Sequence, residues 1–143
     1  MGSECYILEF QALKFELMRL AQKEFEEIVH KALKGLPKFF KKKMKNVDVV
    51  IESKASRSLL LEMGLTSPYE LLGLYQGIPF SQRGFYYGNV LPDKITLFQI
   101  PIESCCRTKD EIEEKVREVV IHEVGHYFGL DEKRLRELES GRE

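Results

Sequence analysis

The chain has 143 residues, 43% of them hydrophobic and 31% charged, enough for one globular domain with a core of its own, residues 1–143. No apolar run approaches the about 18 residues of a membrane span, and the opening MGSECYILEF lacks the basic start and small-residue cleavage site of a secretory signal. Twenty-two Lys plus Arg against 23 Asp plus Glu give a net charge of -1, which argues against a nucleic-acid binder, whose affinity rests on neutralising phosphates.

Residues 1–19, with the stretch ILEFQALKFELM, either lengthen the first helix or form an N-terminal extension. That helix is marked by Phe25, Ile28, Val29, Ala32, Leu33 and Leu36, a helical repeat closed by Gly35 and Pro37. A second short helix runs through Phe39, Phe40 and Met44, and its lysines (Lys38, Lys41, Lys42, Lys43, Lys45) read as a solvated face. VDVVI, from Val47 to Ile51, is short and β-branched and predicts a strand. SRSLLLEMG predicts a helix closing at Gly64.

LLGLYQG (Leu71 to Gly77) and KITLFQI (Lys94 to Ile100) predict two further strands. The connection between them, IPFSQRGFYYGNVLPD, is long for a compact domain, which marks it as functional, although Phe85, Tyr86 and Tyr87 could pair as a short strand. Cys105 and Cys106 lack the C-x-x-C spacing of a zinc knuckle and read as core or turn residues. With Cys5 they make an odd count, and the adjacent pair is a poor disulfide framework, so a reducing, cytoplasmic setting is expected.

The last long helix starts at Thr108, where T-x-x-E forms a capping box with Glu111, and Asp110 and Glu111 suit the positive end of the helix dipole. Ile112, Val116, Val119, Val120, Val124 and Tyr127 line it, and Gly129 is placed to end it in a left-handed turn after roughly 20 residues. From Val119 onward it is apolar nearly all round, so this end is expected to be buried.

Within it stands HEVGH. Side chains four apart on a helix are about 5–6 Å apart at Cβ, so His122 and His126 can converge on one zinc ion with bonds of about 2.0–2.1 Å. Glu123 falls in the middle of the apolar stripe, where a carboxylate is costly and is seldom kept for stability. Beside the ion it can take the proton of the attacking water, so each letter of H-E-x-x-H has a chemical reason. The alternative is two ordinary helical histidines.

Catalytic zinc usually takes three protein ligands. Had the helix continued, Gly129, Leu130 and Lys133 would follow on the same face, and none is a credible ligand. A turn at Gly129 would instead bring back Asp131 or Glu132, the nearby oxygen donors, and Glu132 completes H-E-x-x-H-x-x-G-x-x-E. His30, beside the stripe of the first helix, is a weaker candidate, and Cys5 could in principle cap the ion.

LLGLYQG, RGFYYGNVLPDKITLFQIPIE, CRTKDEIEEKV and HEVGHYFGLDEKRLREL together resemble a family of small, one-domain bacterial zincin-like metallopeptidases with a metzincin-like motif layout. The resemblance implies an α+β, zincin-like fold: a small mixed β-sheet against an N-terminal helix and a long C-terminal active-site helix, with a strand edge bordering the cleft. It implies zinc as cofactor and a peptide or protein substrate. His122 and His126 would be ligands, Glu123 the base, and Glu132 would satisfy the acidic third-ligand position. The chain has no Met-turn and no histidine after the motif to stabilise an oxyanion, which leaves Arg83, Tyr86 and Tyr87 as candidates. A zinc-containing module that binds a peptide along the sheet edge beside KITLFQI without turnover is the alternative function, and a metal-free structural domain is a third.

Overall fold

The computed structural model describes residues 19–77 and 92–140. Cys5, most of the N-terminal stretch, and Arg83, Phe85, Tyr86 and Tyr87 of the long connection lie outside the described residues.

Helix α1 (Gln22–Lys34) buries Phe25, Val29 and Ala32 and ends at Gly35. Helix α2 (Lys38–Lys43) starts directly after Pro37 and buries Phe40. A 3-10 turn then leads into strand β1 (Val47–Glu52). Helix α3 (Arg57–Glu62) is capped by the Ser56 hydroxyl, which accepts from the Leu59 amide, and Gly64 follows it at φ 71°.

Among the described residues strands β2 (Gly73–Gln76) and β3 (Asp93–Phe98) join β1 in a mixed three-stranded sheet of order β1-β3-β2, parallel between β1 and β3 and antiparallel between β2 and β3. β3 is thus the central strand. The expected strand KITLFQI is shorter than its pattern: it stops at Phe98, and Gln99 and Ile100 open helix α4 (Gln99–Ser104).

Pro101 two residues on suits no central strand, and Gln99 is held by polar contacts both one helical turn away and far away in sequence. The Gln99 side-chain amide donates to Glu103 Oε1 (2.6 Å) and to the Leu20 carbonyl (2.9 Å), while the Leu20 amide donates to Glu103 Oε2 (3.1 Å). A buried carboxylate is costly unless its lone pairs are filled, and here helical i, i+4 spacing plus the segment entering α1 fill them.

Helix α5 (Lys109–Tyr127) carries the motif. The Thr108 hydroxyl accepts from the Glu111 amide at 3.1 Å, and the Glu111 carboxylate reaches back to the Arg107 amide at 2.9 Å. The box therefore closes one residue earlier than the T-x-x-E pattern implies.

α1 lies along α5, tied at its rim by Lys31–Glu113 (3.4 Å) and Lys109–Glu24 (3.1 Å). Side chains alternate across β3: Ile95 and Leu97 join the core formed with Phe25, Val116 and Val120, whereas Phe98 packs with Ala55, Leu60 and Leu71. The expected α+β arrangement is the observed one. No helix among the described residues is long and apolar enough to cross a membrane.

Of the vicinal cysteines, Cys105 is exposed and Cys106 is 2% exposed. Burial, first of all, and the adjacent Cys105 push the Cys106 thiol up to about 12. It therefore stays protonated and unreactive at pH 8. Treating the native protein with iodoacetamide at pH 8 should place one label on the tryptic peptide that contains both residues, at Cys105. Two labels on that peptide before denaturation would contradict the packing.

Candidate metal centre and active site

α5 does not end where its apolar pattern fades; it is stopped. Gly129 takes φ 78°, a region closed to most side chains. Its amide donates to the His126 carbonyl (3.0 Å), and the Leu130 amide donates to the Gly125 carbonyl (2.9 Å). These are the paired 5→2 and 6→1 bonds of a Schellman turn. The chain reverses, and helix α6 (Glu132–Glu139) begins at once.

Asp131 is the residue that caps α6: its Oδ1 accepts from the Arg134 amide at 2.8 Å. With Asp131 so engaged, it is Glu132, the first residue of α6, that faces the histidines. Glu132 Oε1 stands 3.3 Å from His126 Nε2, and Oε2 stands 3.6 Å from His122 Nε2. Two donors bound at about 2.0–2.1 Å to one tetrahedral ion stand about 3.3–3.4 Å apart, so the observed separations are at that value or slightly above it.

Among the described residues no group of three or more His, Cys, Asp or Glu side chains is gathered so as to hold a metal ion as it stands. Two imidazoles and a carboxylate are a donor set suited to zinc.

The tautomer of His122 is also set. Its Nδ1 lies 2.9 Å from the Glu118 carbonyl. A carbonyl only accepts, so Nδ1 carries a proton, and Nε2 is the ring nitrogen on the Glu132 side, the one that the neutral ring leaves free to ligate.

Glu123 is half-buried, and its partner is one that its place in the helix does not announce. The Tyr75 amide of β2 donates to Glu123 Oε1 at 3.3 Å. In an antiparallel ladder, alternate residues turn their amides away from the neighbouring strand. Because the Phe98 amide donates to the Leu72 carbonyl, Gly73 and Tyr75 are the residues of β2 that face outward, toward α5. Burial raises the Glu123 carboxyl above the ordinary carboxylate range, while the Tyr75 amide and the two histidines pull the other way.

Tyr75 is itself fixed. Its hydroxyl donates to buried Asp93 Oδ2 at 2.6 Å, and its ring lies 4.1 Å from that of Tyr127. Close approach of β2 to α5 requires Gly73, where a Cβ would stand 2.6 Å from Val119 Cγ1.

The end of the helix is buried as expected at Val119, Val120, Ile121, Val124 and Gly125, but not in its last turn: Tyr127 does not line the buried stripe but is 48% exposed, and Phe128 is 40% exposed. Among the described residues β2 stops at Gln76, and Tyr127 covers the backbone of Gly77. Lys43 of α2 sits 4.6 Å from the Phe128 ring, so that lysine is not simply solvated. His30 is exposed in a separate groove between α1 and β1, with Glu26, Val49 and Ile51, and does not join His122 and His126.

A hollow of about 270 Å³ opens beside His122 and Glu123, walled by Leu71, Leu72, Gly73 and Val119 and rimmed by Glu70, Lys115 and Glu118. Lys115 and Glu118 pair at 3.3 Å. Partial burial works against the Lys115 charge, but Glu118 together with Cys105 and Cys106 holds the ammonium above its usual range.

No curated protein matches the chain. A family model does: the zincin-like metallopeptidase model covers residues 44–142, from the turn before β1 to the end of α6, and leaves α1 outside. The span takes in the sheet, the motif helix and the turn that returns Glu132, and by that match the chain belongs to the zincin-like metallopeptidase family.

Proposed function

We propose that this protein is a zinc-dependent peptidase in which His122, His126 and Glu132 hold the ion and Glu123 moves the proton. The observation that carries this reading is the pair of imidazole Nε2 atoms facing one carboxylate across 3.3 and 3.6 Å, with Glu123 adjacent. When bound, zinc supplies a Lewis acid that polarises the scissile carbonyl and lowers the pKa of its water toward about 7.

The chain's own residues do the rest. The Glu118 carbonyl keeps the His122 lone pair directed outward. Asp131, by capping α6, keeps Glu132 in register with both histidines. The Glu123 carboxylate, steadied by the Tyr75 amide, takes the proton of the attacking water and returns it to the leaving amine.

The protein purified without chelator should carry close to one zinc per chain and cleave an unfolded protein. Glu132→Ala should lose most of the metal, whereas Asp131→Ala should keep it and lose about 1 kcal/mol of stability as a missing cap. Elemental analysis showing no zinc after reconstitution at neutral pH would overturn the assignment. The reverse pattern for the two acids would move the third ligand by one residue. Full zinc without cleavage of any peptide in a broad library would favour the binding module.

A further inference from the structure

We propose that the hollow beside His122 and Glu123 receives a lysine or arginine side chain of the substrate, next to the bond that is cut, with Glu70 and Glu118 selecting its charge. This rests on the peptidase reading and adds the substrate class. The hollow shares His122 and Glu123 with the candidate site, so whatever enters it flanks the reacting carbonyl. Its walls (Leu71, Leu72 and Val119) are apolar and suit the methylene stem of a long side chain. Gly73, pressed on Val119, puts backbone rather than a side chain at the contact between strand and helix.

The rim decides the head group. Glu70 and Glu118 bring two negative charges and Lys115 one positive, a sum of -1. Lys115 is already held by Glu118 at 3.3 Å. Glu70 is fixed at the mouth because its Oε2 accepts from the Thr66 and Ser67 amides (3.1 and 3.4 Å), which leaves Oε1 for an incoming cation. A carboxylate side chain would meet both rim acids and Glu123. A purely apolar one would desolvate them without compensation.

The test is a set of synthetic peptides identical except for Arg, norleucine or Glu at each position flanking the scissile bond. Arg should exceed norleucine by about fivefold in kcat/KM, the upper range for partly exposed charge pairs, and Glu should rank last. Glu70→Gln keeps the 3-10 cap, since Gln serves at that position, and should shrink the Arg advantage; Glu118→Gln, which leaves Lys115 unpaired, should shrink it further. Norleucine or Glu ranking first, or an Arg advantage unchanged in both variants, would overturn the proposal.

The same peptides, fluorescently labelled, are titrated against Glu123→Gln with and without zinc, so the ranking is read as binding even if nothing is hydrolysed. Charge-ordered binding supports the subsite. Binding without that order, or no binding, overturns it. Absence of hydrolysis alone counts against the peptidase reading and not against the subsite.

Discussion

Glu123→Gln is expected to lower kcat/KM on a cleaved peptide by about 10²–10⁴-fold while zinc content stays at the parent level. Gln is nearly isosteric and still presents an oxygen to the Tyr75 amide, so the contact between β2 and α5 survives. What is lost is the group that accepts a proton. The nearby carboxylates do not replace it, because Glu132 faces the two imidazoles and Glu118 is paired with Lys115. The measurement joins elemental analysis to kcat/KM on one preparation. A variant as fast as the parent would remove Glu123 from the proposed role. A variant that loses zinc in proportion to rate would mean that Glu123 acts on the metal site and not on the proton.

The parts of this molecule that were legible in the amino-acid pattern are those set by local physics. Thr108 with Glu111 marked the start of α5, Gly129 its end, and Gly64 the end of α3, because capping and positive φ depend on a few adjacent residues. The juxtaposition of His122 and His126 is legible because helical spacing alone brings the two imidazoles to one side; their role as ligands is the proposal made above. The limits came mostly from contacts distant in sequence. KITLFQI alternates well enough to read as a strand through Ile100, yet Pro101 suits no central strand, and Glu103 and the Leu20 backbone hold Gln99. Tyr127 fits the stripe by angle, but it is 48% exposed and stacks on the Tyr75 ring at its rim. Only the fold shows that the partner of Glu123 is a main-chain amide, a group every residue but proline carries. The pattern leaves Asp131 and Glu132 open as third ligand, and the proposal of Glu132 draws on Asp131 being the acid that caps α6.

Gly125, the glycine inside HEVGH, has a role that its sequence position alone does not reveal. A Cβ there would collide with Leu135 Cδ2 and stand 3.2 Å from Leu135 Cγ. Leu135 is fully buried, so its side chain has no open space to rotate into. The absent side chain is what lets α6 lie against α5, and α6 is what carries Glu132 over the histidines. Gly125→Ala should therefore weaken zinc binding by at least tenfold, the scale on which misoriented ligands cost affinity, although His122, His126 and Glu132 all remain. Overpacking should cost about 1–3 kcal/mol of stability, even though Ala favours the helix over Gly by about 1 kcal/mol. A double-mutant cycle separates a clash from a general defect. Leu135→Ala alone should cost about 2–5 kcal/mol as a cavity, and in the pair Gly125→Ala with Leu135→Ala the two losses should sum to less than their parts, because each relieves the other. Additive losses, or a Gly125→Ala protein with parental zinc affinity, would show that the packing of Leu135 on Gly125 does not hold the third ligand in place.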